Sequence, residues 1–165
     1  MRGFSIIEIV VYIAVLSVIS VTAVETIIVM NTSLIQIRTT RTLSNAASGT
    51  IERMARTIRD SKFVNVSSSI FDTSPGVLSL TGSGSSPATY RFSVSRGGLL
   101  LDTGGSQTVL TPPGVVVTNL VFRLIANSSV SQAIKIEFTI AASNGHATTT
   151  QNFYDTVLLR NSYAL

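Results

Sequence analysis

Apolar residues crowd the start of the chain and thin out afterwards. From Phe4 to Val24 the only charged residue is Glu8, and neither proline nor glycine interrupts the run. As an α-helix that stretch spans roughly 31 Å at about 1.5 Å per residue, which matches a bilayer hydrocarbon core about 30 Å thick. The pattern predicts one membrane crossing over residues 4–24. Apolar residues then continue at helical spacing: Ile27, Ile28, Leu34, Ile35, Ala47, Ile51, Met54, Ala55 and Ile58. The last four stand at i, i+3, i+4 and i+7, one stripe of a helix. Glu52 with Arg56, and Arg56 with Asp60, are i, i+4 pairs on the opposite side. With no proline before Pro75, the reading is one helix over about 5–61, with Gly49 as a weak point where it can bend. A helix of that length cannot bury itself entirely in one small domain. Its second half is expected to pack on the rest of the chain.

After Lys62 the period falls to two, and Gly, Pro, Ser and Asn punctuate the chain. Candidate strands are Val77–Leu80, Thr89–Val94, Leu99–Leu101, Val115–Ile125, Ile134–Ile140 and Phe153–Arg160. Tyr90, Phe92 and Val94 alternate along one face. So do Ile134, Ile136, Phe138 and Ile140, with Lys135, Glu137 and Thr139 opposite. One buried and one wet face is the mark of antiparallel pairing. Gly97-Gly98 reads as a tight hairpin. The segments Thr81–Ala88, Asp102–Gln107, Thr111–Gly114, Ala126–Gln132 and Ala142–Thr150 read as loops. The predicted fold class is α+β, a long N-terminal α-helix packed on a C-terminal antiparallel β-sheet domain. The boundaries are a helix over 4–62, membrane-spanning over 4–24, and a β-rich domain over 63–165.

Composition sharpens the membrane reading. Charged residues make up only 12% of the chain, about half the share in an ordinary soluble domain. Arg2 flanks the apolar run on its short side, which favours a cytoplasmic N-terminus with the β-domain outside. A cleaved secretory signal fits less well, because the run is too long and no small-x-small site clearly follows it. There is no cysteine, so disulfides, thiolate metal sites and a cysteine nucleophile are excluded. The net charge of +4 is concentrated in Arg38, Arg41, Arg53, Arg56, Arg59 and Lys62. Such a patch could meet nucleic acid or another anionic partner. Spacing by three drifts around a helix and no aromatic residues interleave to stack bases, so a solvated face or a subunit interface is favoured.

No enzyme chemistry is legible. His146 is the one histidine and has neither a cysteine nor a second histidine with which to share zinc. Serines are abundant without forming a triad pattern. Gly82-Ser83-Gly84 lacks the third glycine and the following helix of a phosphate loop. Asp72, Asp102 and Asp155 are isolated, whereas calcium requires clustered oxygens. Nothing points to a metal or a cofactor.

Glu8 is the anomaly. A carboxylate within an apolar membrane helix costs up to about 2.5–3.5 kcal/mol near the centre and less near an end. It lies either wet at the interface or beside a cation. A chain cut before Phe4 would supply that cation as its new α-amino group, and a neighbour's Glu8 could pair with it. Such a pair adds little stability but disfavours wrong registers, since an unpaired member is costly.

The segment Gly3-Phe4-Ser5-Ile6-Ile7-Glu8, followed by the apolar run, resembles the processing motif of type IV pilins and type II secretion pseudopilins. The resemblance implies a leader of residues 1–3, cleavage by a prepilin peptidase between Gly3 and Phe4, and N-methylation of Phe4. It also implies that Phe4 and Glu8 act in filament assembly. The partners would be other pilin subunits in a helical filament, the cytoplasmic membrane and the pilus assembly platform. Many major pilins carry a helix-loosening glycine and proline in the apolar helix, and this chain has neither between Phe4 and Asn45. That favours a minor pilin or pseudopilin over a major pilin. Two other readings stay open: a pilus-tip module holding DNA, a surface or a secreted substrate, and a single-pass anchored domain outside any filament.

Overall fold

A computed structural model describes residues 5–83, 88–128, 131–143 and 148–159, with no side-chain description at 126–128 and 131. One helix, α1 (Ile6–Arg59), runs through 54 residues, about 80 Å at the usual rise. Gly49 lies inside α1 without interrupting it. By internal contacts the chain divides into Met1–Arg38 and Thr39–Leu165, and the boundary falls within α1.

In the first unit no described residue is buried, and Ile35 alone is half-covered. In the second unit α1 buries Leu43, Ala47, Thr50, Met54, Ala55 and Ile58, with Ile51 partly buried beside them. The expected stripe therefore packs inward. Its opposite side carries the Arg56–Glu52 pair at 3.1 Å. The helix ends two residues earlier than the pattern suggested. Ser61 turns into a strand, so Lys62 stands on a strand and not on the helix.

Eight strands follow, all joined in antiparallel pairs. They form two sheets. The first has the order β1 (Ser61–Val64), β2 (Leu78–Gly82), β3 (Thr89–Ser95), β4 (Gly98–Thr103) and β5 (Ser106–Val109). The second comprises β6 (Val115–Ser128), β7 (Ser131–Ser143) and β8 (Thr148–Leu158). The chain is thus α+β, a long N-terminal helix packed on antiparallel sheet. Both sheets and the second half of α1 contribute to one core, in which Leu43, Met54, Ile58, Leu80, Phe92, Leu120, Phe122, Ile136 and Phe138 are at most 1% exposed.

The β-domain departs from expectation in three places. β1 and β5 read as non-strand because neither alternates: β1 carries an irregularity between Ser61 and Phe63, and all four residues of β5 are exposed. The segments 81–88, 102–107, 126–132 and 142–150, expected as loops, are partly strand: β2 reaches Gly82, β4 reaches Thr103, β5 starts at Ser106, and β6, β7 and β8 extend into the last two. The first tight hairpin turns at Arg96-Gly97 and not at Gly97-Gly98. Both turn residues have positive φ, 50° and 77°, as a two-residue hairpin of this hand requires, and Gly98 already belongs to β4. A side chain at Gly97 would also meet Val116 Cγ1 at 2.9 Å.

Candidate functional site

Of the residues singled out at the N-terminus, Gly3 and Phe4 lie outside the described residues. Glu8 stands in the first turn of α1 and is exposed. Tyr12, one turn on, donates its hydroxyl to Glu8 Oε1 at a long 3.4 Å. Pattern reading passed over this neighbour, although the i, i+4 spacing signals it.

Around Glu8 the helix surface is continuously apolar. Ile9, Val10, Val11, Ile13, Val15, Leu16, Val18 and Ile19 are all between 48% and 65% exposed. The helix contains a stretch long and apolar enough to cross a membrane. Four hydroxyls along it are satisfied within the helix. Ser17 Oγ donates to Ile13 O, Ser20 Oγ to Leu16 O and Thr26 Oγ1 to Thr22 O, each at 2.8 Å. Thr22 Oγ1 donates to Ile19 O at 2.9 Å. These bonds let polar residues sit in an apolar medium without an unmet donor. Glu25 is the second carboxylate on this surface, exposed and without a hydrogen bond or ion pair among the described residues.

The basic residues do not converge into one site. Arg38 belongs to the first unit, and Arg41, Arg53, Arg56, Arg59 and Lys62 to the second. All six are exposed. Arg53 and Arg56 come together in a groove of about 330 Å³ with Thr57, Asp60, Tyr90, Leu101 and Thr103. Glu52 holds Arg56, and Asp60 adds a second acid, so the groove is of mixed sign. Lys62 lies over the Phe63 ring, 5.2 Å from its centroid. The six basic residues are thus spread over an exposed surface, with two acids beside Arg53 and Arg56 in the groove.

The most organised polar cluster is elsewhere. Arg123 on β6 contacts Asp72 Oδ1 at 2.8 Å and Glu137 Oε1 at 3.0 Å, and Lys135 Nζ reaches the same Glu137 oxygen at 3.0 Å. The hydrogen bonds from Arg123 and then Lys135 hold the Glu137 carboxyl below its ordinary range. Asp102 is likewise lowered, first by the Gly105 backbone N–H and then by the Gln107 amide. Asp102 braces the turn into β5 through Gly105 and Gln107, and Glu137 ties β7 to Arg123 on β6. His146 lies outside the described residues. Among the described residues no three His, Cys, Asp or Glu side chains gather as a metal site would require. No family model, curated protein or solved structure matches the chain.

Proposed function

We propose that this chain is a structural subunit, a minor pilin or pseudopilin of a type IV pilus or type II secretion-like filament. In this reading it is anchored in the cytoplasmic membrane with its β-domain outside. A prepilin peptidase cuts after Gly3. The apolar first half of α1 then leaves lipid and packs against the same segment of neighbouring subunits. Glu8 sets axial register by pairing with the α-amino group of Phe4 on a neighbour. The observation that carries the reading is a single helix whose second half buries one stripe in its own domain, while its first half buries no described residue and has Glu8 as the only charge over residues 5–24. The Gly3-Phe4 junction precedes that surface directly.

The test is the intact mass of the N-terminal peptide from host membranes. The expected peptide begins at Phe4 and carries one methyl group. An uncut Gly3–Phe4 bond in cells with active prepilin peptidase would reject the pathway. Glu8→Ala is expected to be cut normally yet be depleted from filaments, and normal incorporation of that variant would remove the role assigned to Glu8.

A further inference from the structure

The sheet β6–β7–β8 has two edges, and the chain treats them differently. The β6 edge is covered. Gly76 N–H donates to Leu120 O at 2.7 Å and Asp72 N–H to Phe122 O at 3.0 Å. Leu120 N–H donates to Ser74 Oγ at 3.2 Å, and Val117 N–H to Gly97 O at 2.7 Å.

Among the described residues the β8 edge is open. Leu159 N–H bonds Gln132 O on the β7 side at 3.0 Å, and β8 pairs with β7 without a register shift. Main-chain groups alternate along a strand. Residues 149, 151, 153, 155 and 157 therefore face β7, and Thr148, Thr150, Asn152, Tyr154, Thr156 and Leu158 turn theirs outward. Among the described residues only one of these six has a partner: Thr156 N–H donates to Asp155 Oδ1 of its own strand at 2.8 Å. Proteins blunt such edges with charged residues, proline or a bulge; β8 has no lysine, proline or bulge, and its one charge is Asp155. Its sequence, Thr-Thr-Thr-Gln-Asn-Phe-Tyr-Asp-Thr-Val-Leu, holds one charge and neither glycine nor proline, a composition suited to strand pairing.

We propose that β8 joins antiparallel to β8 of a second copy, fusing two three-stranded sheets into one of six strands. The strand is self-complementary. In full overlap about Phe153, Thr148 lies opposite Leu158, Thr150 opposite Thr156, and Asn152 opposite Tyr154. All six outward residues of each copy are then used. Asp155 falls opposite the second copy's Gln151, whose amide donates to it. The carboxylate thereby gains a donor as Thr156 N–H passes to the second copy's Thr150. The two Asp155 side chains sit four residues out of step, about 13 Å apart along the strand, so no like charges meet. This is a two-fold, closed contact, and it stands independently of the filament reading.

The absence of cysteine makes the test direct. Full-length chains bearing Asn152→Cys and Tyr154→Cys are purified in detergent micelles, singly and mixed, and oxidised gently. Opposed residues of a hydrogen-bonded pair lie about 5.5 Å apart at Cα, within reach of a disulfide. Residues of like number in the two copies lie further apart. The mixture is expected to cross-link several-fold more than either variant alone, and more than Asn152→Cys mixed with Thr108→Cys on β5. Equal linking in all cases would mean association through the apolar helices only and would overturn the proposal. No linking, as expected if β8 instead receives a strand of another protein, would also overturn it. Thr150→Cys mixed with Thr156→Cys repeats the test at a second position, and hydrogen-exchange protection of β7 amides reports that each variant is folded.

Discussion

The two halves of α1 share one backbone and differ in what covers them. Over Thr39–Arg59 the helix alternates, with Leu43, Ala47, Met54, Ala55 and Ile58 buried and Glu52, Arg53, Arg56 and Arg59 exposed. Over residues 6–24 it is apolar on nearly every side, and through Arg38 none of its described residues is buried. A helix that is hydrophobic all round is stable where its surroundings are apolar too. In the proposed assembly that surrounding is lipid first and neighbouring helices afterwards. The second half draws its stability from its own domain, and in the proposed assembly the first half draws it from the surroundings.

The largest test of that contrast is truncation. Ile58→Ala removes a fully buried side chain and is expected to destabilise the domain by about 2–5 kcal/mol. Ile13→Ala, on a residue 59% exposed, is expected to leave domain unfolding unchanged. Denaturant unfolding of both variants in the same micelles measures this. Equal losses would show that the two halves fold as one unit and break the comparison.

Charge insertion reverses the ranking. Val15→Arg is expected to cost about 2.5–3.5 kcal/mol in membrane insertion, read as the fraction of chain resisting alkaline extraction. Ser44→Arg, on an exposed position of the packed half, is expected to change domain stability by less than about 0.5 kcal/mol and leave insertion intact. Unchanged extraction of Val15→Arg would mean that the first half is not held by lipid.

Periodicity made much of this legible before any coordinates. The stripe from Ile51 to Ile58 and the alternation from Ile134 to Ile140 both face the core as spaced, Ile51 only partly buried, because each belongs to an element with one wet face. Where an element lacks that asymmetry the pattern is silent. β5 is exposed on both faces and β1 carries a register shift, so neither shows an alternation to read. The division into two sheets was equally hidden. It depends on long-range contacts such as Val117 N–H to Gly97 O, which no local spacing encodes. The candidate site is legible to a different degree. Glu8 stands out in sequence as a charge in an apolar run, and its neighbour Tyr12 could be read from spacing. What faces Glu8 lies beyond this chain in the proposed assembly, so neither sequence nor fold contains it.

Carboxylates extend the comparison to its smallest expected effect. Glu137 has its cations within the domain, Arg123 and Lys135, each at 3.0 Å. Its pKa in the folded state is lowered by them, so the folded state binds fewer protons than the unfolded chain near that pKa. Its contribution to stability is present above the unfolded carboxylate pKa and is lost as pH falls through the lowered folded value. Glu137→Gln is therefore expected to lower the unfolding midpoint slightly at neutral pH. The gap to the parent chain should close as the solution is acidified through the carboxylate range. Because the cluster is surface-lying, added salt should narrow the same gap. A gap that stayed constant from neutral to acid pH would mean that Glu137 acts through packing and not through its charge.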